Sequence, residues 1–115
     1  MKRDIGLFIQ DILENIKDIE SFSKGTSKES FMNDKLKQKA IIRSLEIIGE
    51  AVKNITNSFR EKYLDVEWTK IAGMRDIIIH GYFRVDLDAV WNVIKKDLPK
   101  LKKQIEKIKR ELILK

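Results

Sequence analysis

Apolar residues recur along this chain at three- and four-residue spacing, the period of an amphipathic helix. Ile5, Phe8, Ile9, Ile12, Ile16 and Ile19 form the first stripe, which predicts a helix over about residues 3–22. Ser23-Lys24-Gly25-Thr26-Ser27 marks the first turn, and Thr26 with Glu29 has the spacing of a capping box for a second helical segment. Phe31 and Met32 read as a short helical turn packed on the core. The longest helix is predicted over residues 36–59. There Ile41, Leu45, Ile48, Val52, Ile55 and Phe59 make one stripe, and Ala40, Ser44, Ile47 and Ala51 widen it. So wide an apolar face is expected of a central helix covered on two sides.

Residues 60–66 are polar and turn-like. A third helix is predicted from about Trp68 to Gly81, with the glycine as a left-handed stop. Val85 and Asp86 start a fourth, Asp86 capping it and Val85 placed to staple against Val90. Pro99 is either the first residue of a fifth helix or a kink. Leu101, Ile105, Ile108 and Leu112 carry the last stripe. No strand-like alternation and no repeat interrupts this pattern. The expected fold class is all-α, an up-and-down helical bundle of four to five helices forming one domain over residues 1–115.

Composition narrows the function classes. A chain of 115 residues has single-domain length, and folding at this size buries roughly two-thirds of the unfolded surface. Without cysteine, disulfides and thiolate metal sites are excluded. No apolar run approaches the ~18 residues of a membrane span. Met1-Lys2-Arg3-Asp4 leads directly into the amphipathic pattern, so a cytoplasmic protein with no membrane partner is expected. The net charge of +6 is unevenly placed: Lys95 to Lys115 holds nine Lys/Arg against three Asp/Glu, and the first 94 residues balance at fifteen each. A surplus concentrated in this way favours phosphate-bearing partners, although a Lys-rich solvated helix face has the same composition.

Candidate chemistry lies between Arg75 and Tyr82. On the third helix Trp68, Ile71, Ala72, Ile78 and Ile79 share a face with Arg75 and Tyr82. A guanidinium on an apolar face is costly to bury unpaired. It must meet a carboxylate inside, Glu46 or Glu50 for instance, or the face must open onto a cleft or a partner. His80 is the only histidine, the side chain whose ordinary pKa suits proton transfer near neutrality. Five residues along an ideal helix set it ~140° from Arg75, so spacing alone does not join the two. A lone histidine is more often a bystander than a catalyst.

Gly73-Met74-Arg75-Asp76-Ile77-Ile78-Ile79-His80-Gly81-Tyr82 resembles the signature of the HepT-like branch of the HEPN superfamily: Arg, a polar residue, three residues, His, any residue, Tyr. Arg43-Ser44-Leu45-Glu46-Ile47-Ile48-Gly49-Glu50-Ala51 resembles the long-helix motif of that family, and the stretches Trp68 to Met74 and Val90-Trp91 through Asp97-Leu98-Pro99 match in order and spacing. The likeness runs over about residues 4–108. One departure is Asp76, where the branch more often has Asn; an aspartate there can pair with Arg75 and temper activity.

The resemblance implies the toxin of a two-gene toxin–antitoxin module, a metal-independent endoribonuclease that needs no cofactor. It implies a homodimer of helical bundles, with Arg75 and His80 of both subunits lining an interface cleft. The implied partners are an RNA substrate and a minimal nucleotidyltransferase antitoxin, which in part of the family transfers AMP onto the motif tyrosine, here Tyr82. Such a site fits elementary chemistry, because cleavage without metal needs a base for the 2′-OH, an acid for the leaving oxygen and a cation on the phosphate. One chain carries one imidazole, and two-fold symmetry would supply the second. The alternatives are a non-catalytic HEPN module that binds nucleotide or RNA, a docking partner for a nucleotidyltransferase, and a structural dimer in which Arg75 anchors an ion pair. Glu46 and Glu50, one turn apart without a histidine cluster, read as structural rather than metal ligands.

Overall fold

The computed structural model describes residues 4–74, 76, 79–80 and 84–113, with residues 79, 80 and 84 described through their backbone alone. Helix α1 spans Ile5–Ser23 and starts where the Asp4 carboxylate accepts from the Gly6 N–H. It buries Ile9, Ile12, Leu13, Ile16 and Ile19, the stripe legible in the sequence. Gly25, at φ 70°, is the one described residue in the left-handed region and turns the chain. Helix α2, Lys28–Met32, is capped by Ser27, whose hydroxyl accepts from the Ser30 N–H. The expected cap, Thr26, is instead an acceptor for Lys37 Nζ at 2.7 Å. Phe31 of α2 is fully buried, with its ring 5.5 Å from that of Trp91.

Helix α3 runs Lys35–Lys53 and packs along α1 through Ile41, Leu45, Ile48 and Val52. It does not continue to Phe59. Thr56 accepts from the Phe59 N–H and opens a separate short helix, α4, Asn57–Arg60. Arg60 then folds back, donating from Nη2 to the Val52 carbonyl at 2.7 Å and from Nε to the Ile55 carbonyl at 3.1 Å. Helix ends leave carbonyls without partners, and here a guanidinium supplies them.

Helix α5 is only Trp68–Ala72, ending at Gly73. Met74 and Asp76 are helical again, but the expected helix does not run unbroken towards Gly81, which lies outside the described residues: Ile79–His80 (β1) and Arg84–Val85 (β2) are extended and pair antiparallel, Ile79 with Val85 and His80 with Arg84. Three successive isoleucines explain the change, since β-branched side chains favour extended backbone over helix. Asp86 caps α6, Leu87–Asn92, by accepting from the Ala89 N–H, as expected. Val93–Asp97 continues it as one π-helical turn, and α7, Leu98–Ile113, comes directly after. Pro99 has no N–H for the carbonyl four residues back. The wider turn absorbs that loss, with the Leu98 N–H donating to the Val93 carbonyl. Pro99 is the second residue of α7, in the first turn, where a missing N–H is tolerated, directly after the π-helical turn.

The fold is all-α, as expected, with the two-residue ladder as its one addition. Its core lies among α1, α3 and α7, closed by Phe31, Val90 and Phe59. Among the described residues no buried side-chain polar atom lacks a hydrogen-bond partner, and no helix is long and apolar enough to cross a membrane.

Candidate functional site

The motif segment is held from both ends. On its N-terminal side Trp68 is buried and donates from Nε1 to the Tyr63 carbonyl at 2.9 Å. The loop carrying Tyr63 is tied to α7 twice. The Tyr63 hydroxyl donates to Glu111 at 2.5 Å, and Gln104 Nε2 donates to the Asp65 carbonyl at 2.9 Å. The bond to the Glu111 carboxylate is the main cause that raises the Tyr63 phenol to about 12, with burial and the Glu111 charge adding to it. On the C-terminal side the Asp86 cap fixes β2 to the start of α6.

Between these anchors α5 lies directly on α3. A Cβ built on Gly49 would sit 3.4 Å from the Ile71 carbonyl oxygen and 3.5 Å from that of Ala72. Both are ordinary van der Waals distances, so a Cβ at Gly49 would touch the α5 backbone without displacing it. Glu46 and Glu50 sit on the same helix beside that contact. Glu50 is exposed and 3.9 Å from Lys53. Glu46 is one-third exposed, with Arg43 at 3.8 Å.

Arg75 and Tyr82 lie outside the described residues. His80 is placed by its backbone, opposite Arg84 in the ladder. Asp76 is exposed, its N–H donating to the Gly73 carbonyl at 2.9 Å. Because β1 is extended, the continuous helical face that aligned Arg75 with Tyr82 does not exist, and the 140° separation from His80 no longer applies. Trp68 and Ile71 are buried within this chain, at 5% and 7% exposure. Two features escaped the sequence reading. One is Arg84 at the position paired with His80; the isoleucine run, then Gly81 and a second short apolar stretch, is a hairpin signal that would have found it.

The other is a pocket of about 270 Å³ between α5 and the π-helical turn. Ile71, Met74, Val93 and Leu98 form its apolar floor, and Lys70, Asp97 and Lys100 stand among its lining. Lys70 Nζ and Asp97 pair at 3.4 Å. Met74 immediately precedes Arg75, so the pocket borders the motif segment. Pro99, which cannot continue a regular turn, was the available signal for a π-turn, a feature frequent at functional sites. Among the described residues no group of three or more His, Asp or Glu side chains is arranged to hold a metal ion.

Known proteins resemble the chain across this whole region. A family model described as "Ribonuclease HepT-like" matches residues 12–108, a span that contains the whole motif segment. "Putative RNase MJ1380" of Methanocaldococcus jannaschii is 46% identical over 105 residues, covering 91% of this chain and 96% of its own length. "Probable ribonuclease HepT" of Thermococcus cleftensis is 44% identical over 110 residues, covering 96% of this chain and all of that protein. "Gamma-glutamylcyclotransferase and putative RNase MJ0434" of Methanocaldococcus jannaschii is 48% identical over 112 residues, and this chain spans 50% of that longer protein. No solved structure matches the chain.

Proposed function

Because this chain belongs to the Ribonuclease HepT-like family, we propose that it is a metal-independent endoribonuclease acting as the toxin of a toxin–antitoxin module. The observation that carries the reading is the family match across the whole Arg75–Tyr82 segment.

In this reading His80 of one subunit takes the proton of a ribose 2′-OH as the 2′-oxygen forms a bond to phosphorus. The bond from phosphorus to the 5′-oxygen breaks, and that oxygen takes a proton from His80 of the second subunit. Arg75 stabilises the charge on the crowded phosphate, which its planar donors suit. The same cation favours the neutral form of the first imidazole and so keeps it able to accept a proton. The requirement for a homodimer rests on this chemistry, one imidazole per chain against two proton transfers, and not on uncovered apolar surface. Tyr82 is the proposed acceptor of AMP from a minimal nucleotidyltransferase antitoxin.

End-group analysis of the products tests the reaction. We expect 2′,3′-cyclic phosphate ends, the consequence of a 2′-oxygen nucleophile. Products with 3′-hydroxyl and 5′-phosphate ends would require an external nucleophile and would overturn the mechanism.

A further inference from the structure

The structure sorts the C-terminal charge surplus onto one line. Lys100, Lys103, Lys107 and Arg110 are all exposed and have the 3-4-3 spacing of a single helix face, opposite the buried Leu101, Ile105 and Ile108. Lys96 extends the line by a turn on the N-terminal side. At 1.5 Å per residue the four cations of α7 span about 15 Å, one every ~5 Å, comparable with the spacing of phosphates along a nucleic-acid strand.

Two of the three carboxylates of this stretch are engaged elsewhere: Asp97 pairs with Lys70, and Glu111 accepts from Tyr63. The third, Glu106, is half-buried. Lys102 is held by Glu20 at 2.9 Å, away from the line. None of the four cations has an ion-pair partner among the described residues.

We propose that this line is a phosphate-tracking surface for RNA, separate from the Arg75–Tyr82 segment, with Lys100 at the pocket that Met74 also lines. The inference rests on the ribonuclease reading for its choice of polyanion. Two observations favour RNA over an acidic protein. A line of exposed cations without ion-pair partners among the described residues matches a uniformly charged backbone, whereas a protein interface is built around apolar anchors. From Lys95 to Arg110 the only exposed side chain without charge is Pro99. Such a surface binds without reading sequence and carries most of its affinity as counterion release.

The test measures binding of a single-stranded 2′-O-methyl oligonucleotide, which has no 2′-OH to attack, as a function of salt. Lys100→Gln/Lys103→Gln/Lys107→Gln is compared with wild type and with Lys17→Gln/Lys39→Gln/Lys62→Gln. The second variant has the same charge change at exposed positions elsewhere. For three lost phosphate contacts the slope of log affinity against log salt should shrink by about 2, at ~0.7 per contact for single strands. The control should keep the wild-type slope.

Equal loss in both triple variants would reduce the effect to net charge and overturn the proposal. So would an unchanged RNA slope with lost retention on poly-glutamate, which would point to an acidic protein instead. The two readings also fail separately. A protein that cleaves no RNA but loses the slope in the first variant keeps the surface and loses the ribonuclease. Cleavage with an unchanged slope does the reverse.

Discussion

At the scale of single residues, local chemistry decided where the sequence reading held. Asp86 was legible as a cap because a carboxylate three positions before a free N–H meets a local need. Ser27 rather than Thr26 caps α2, because Thr26 has a stronger partner eleven residues away in Lys37. No window around Thr26 shows that. Tyr63 was likewise unreadable, since its partner Glu111 lies 48 positions on. Its consequence is a pH dependence. The folded protein holds the phenol at about 12 against an ordinary 10.0. The bond to Glu111 therefore stabilises the fold fully below pH ~10, and that contribution fades as pH rises towards 12. We expect chemical melts to show Tyr63→Phe less stable than wild type at neutral pH, with the gap narrowing through that window. A gap that stays constant from neutral pH to about 12 would mean that the lost stability comes from packing.

At the scale of elements, helices defined by long stripes were legible and helix ends set by distant contacts were not. The α1 and α7 stripes are buried as their spacing required. The stripe from Ile41 to Phe59 also faces the core throughout, yet the helix breaks within it. Apolar periodicity records which side is buried and not whether the backbone is continuous. The break is stabilised by Arg60 at the Val52 and Ile55 carbonyls. Charge-assisted bonds of this kind are worth ~1.5–3 kcal/mol when buried. Arg60 is half-buried, so we expect Arg60→Ala to cost about 1–2 kcal/mol in urea unfolding. Arg60→Lys should recover less than half, because a single ammonium cannot match the fork. The region after Ala72 misled for a different reason: apolar spacing there suits a helix, while three consecutive β-branched residues favour a strand. Propensity prevailed over period at β1.

At the scale of the whole molecule, the all-α class came from the near-continuous helical period. The motif segment was identified through its likeness to a family, since its spacing alone argued against Arg75 and His80 acting together. The proposed control by a partner belongs to this scale too. Adding AMP at Tyr82 would place phosphate charge in a cleft that must admit RNA, and so repel the substrate. Intact-mass spectrometry after co-expression with a minimal nucleotidyltransferase should show AMP increments that vanish in Tyr82→Phe; silencing with no mass change would assign inhibition to complex formation alone.

The central claim is that His80 moves protons in RNA cleavage that needs no metal. Cleavage of mixed RNA in excess EDTA, by wild type and by His80→Ala side by side, addresses it directly. We expect wild type to retain its rate in EDTA and His80→Ala to fall by at least ~10²-fold, the usual contribution of a general base. Abolition of wild-type activity by EDTA, or an undiminished rate in His80→Ala, would contradict the claim.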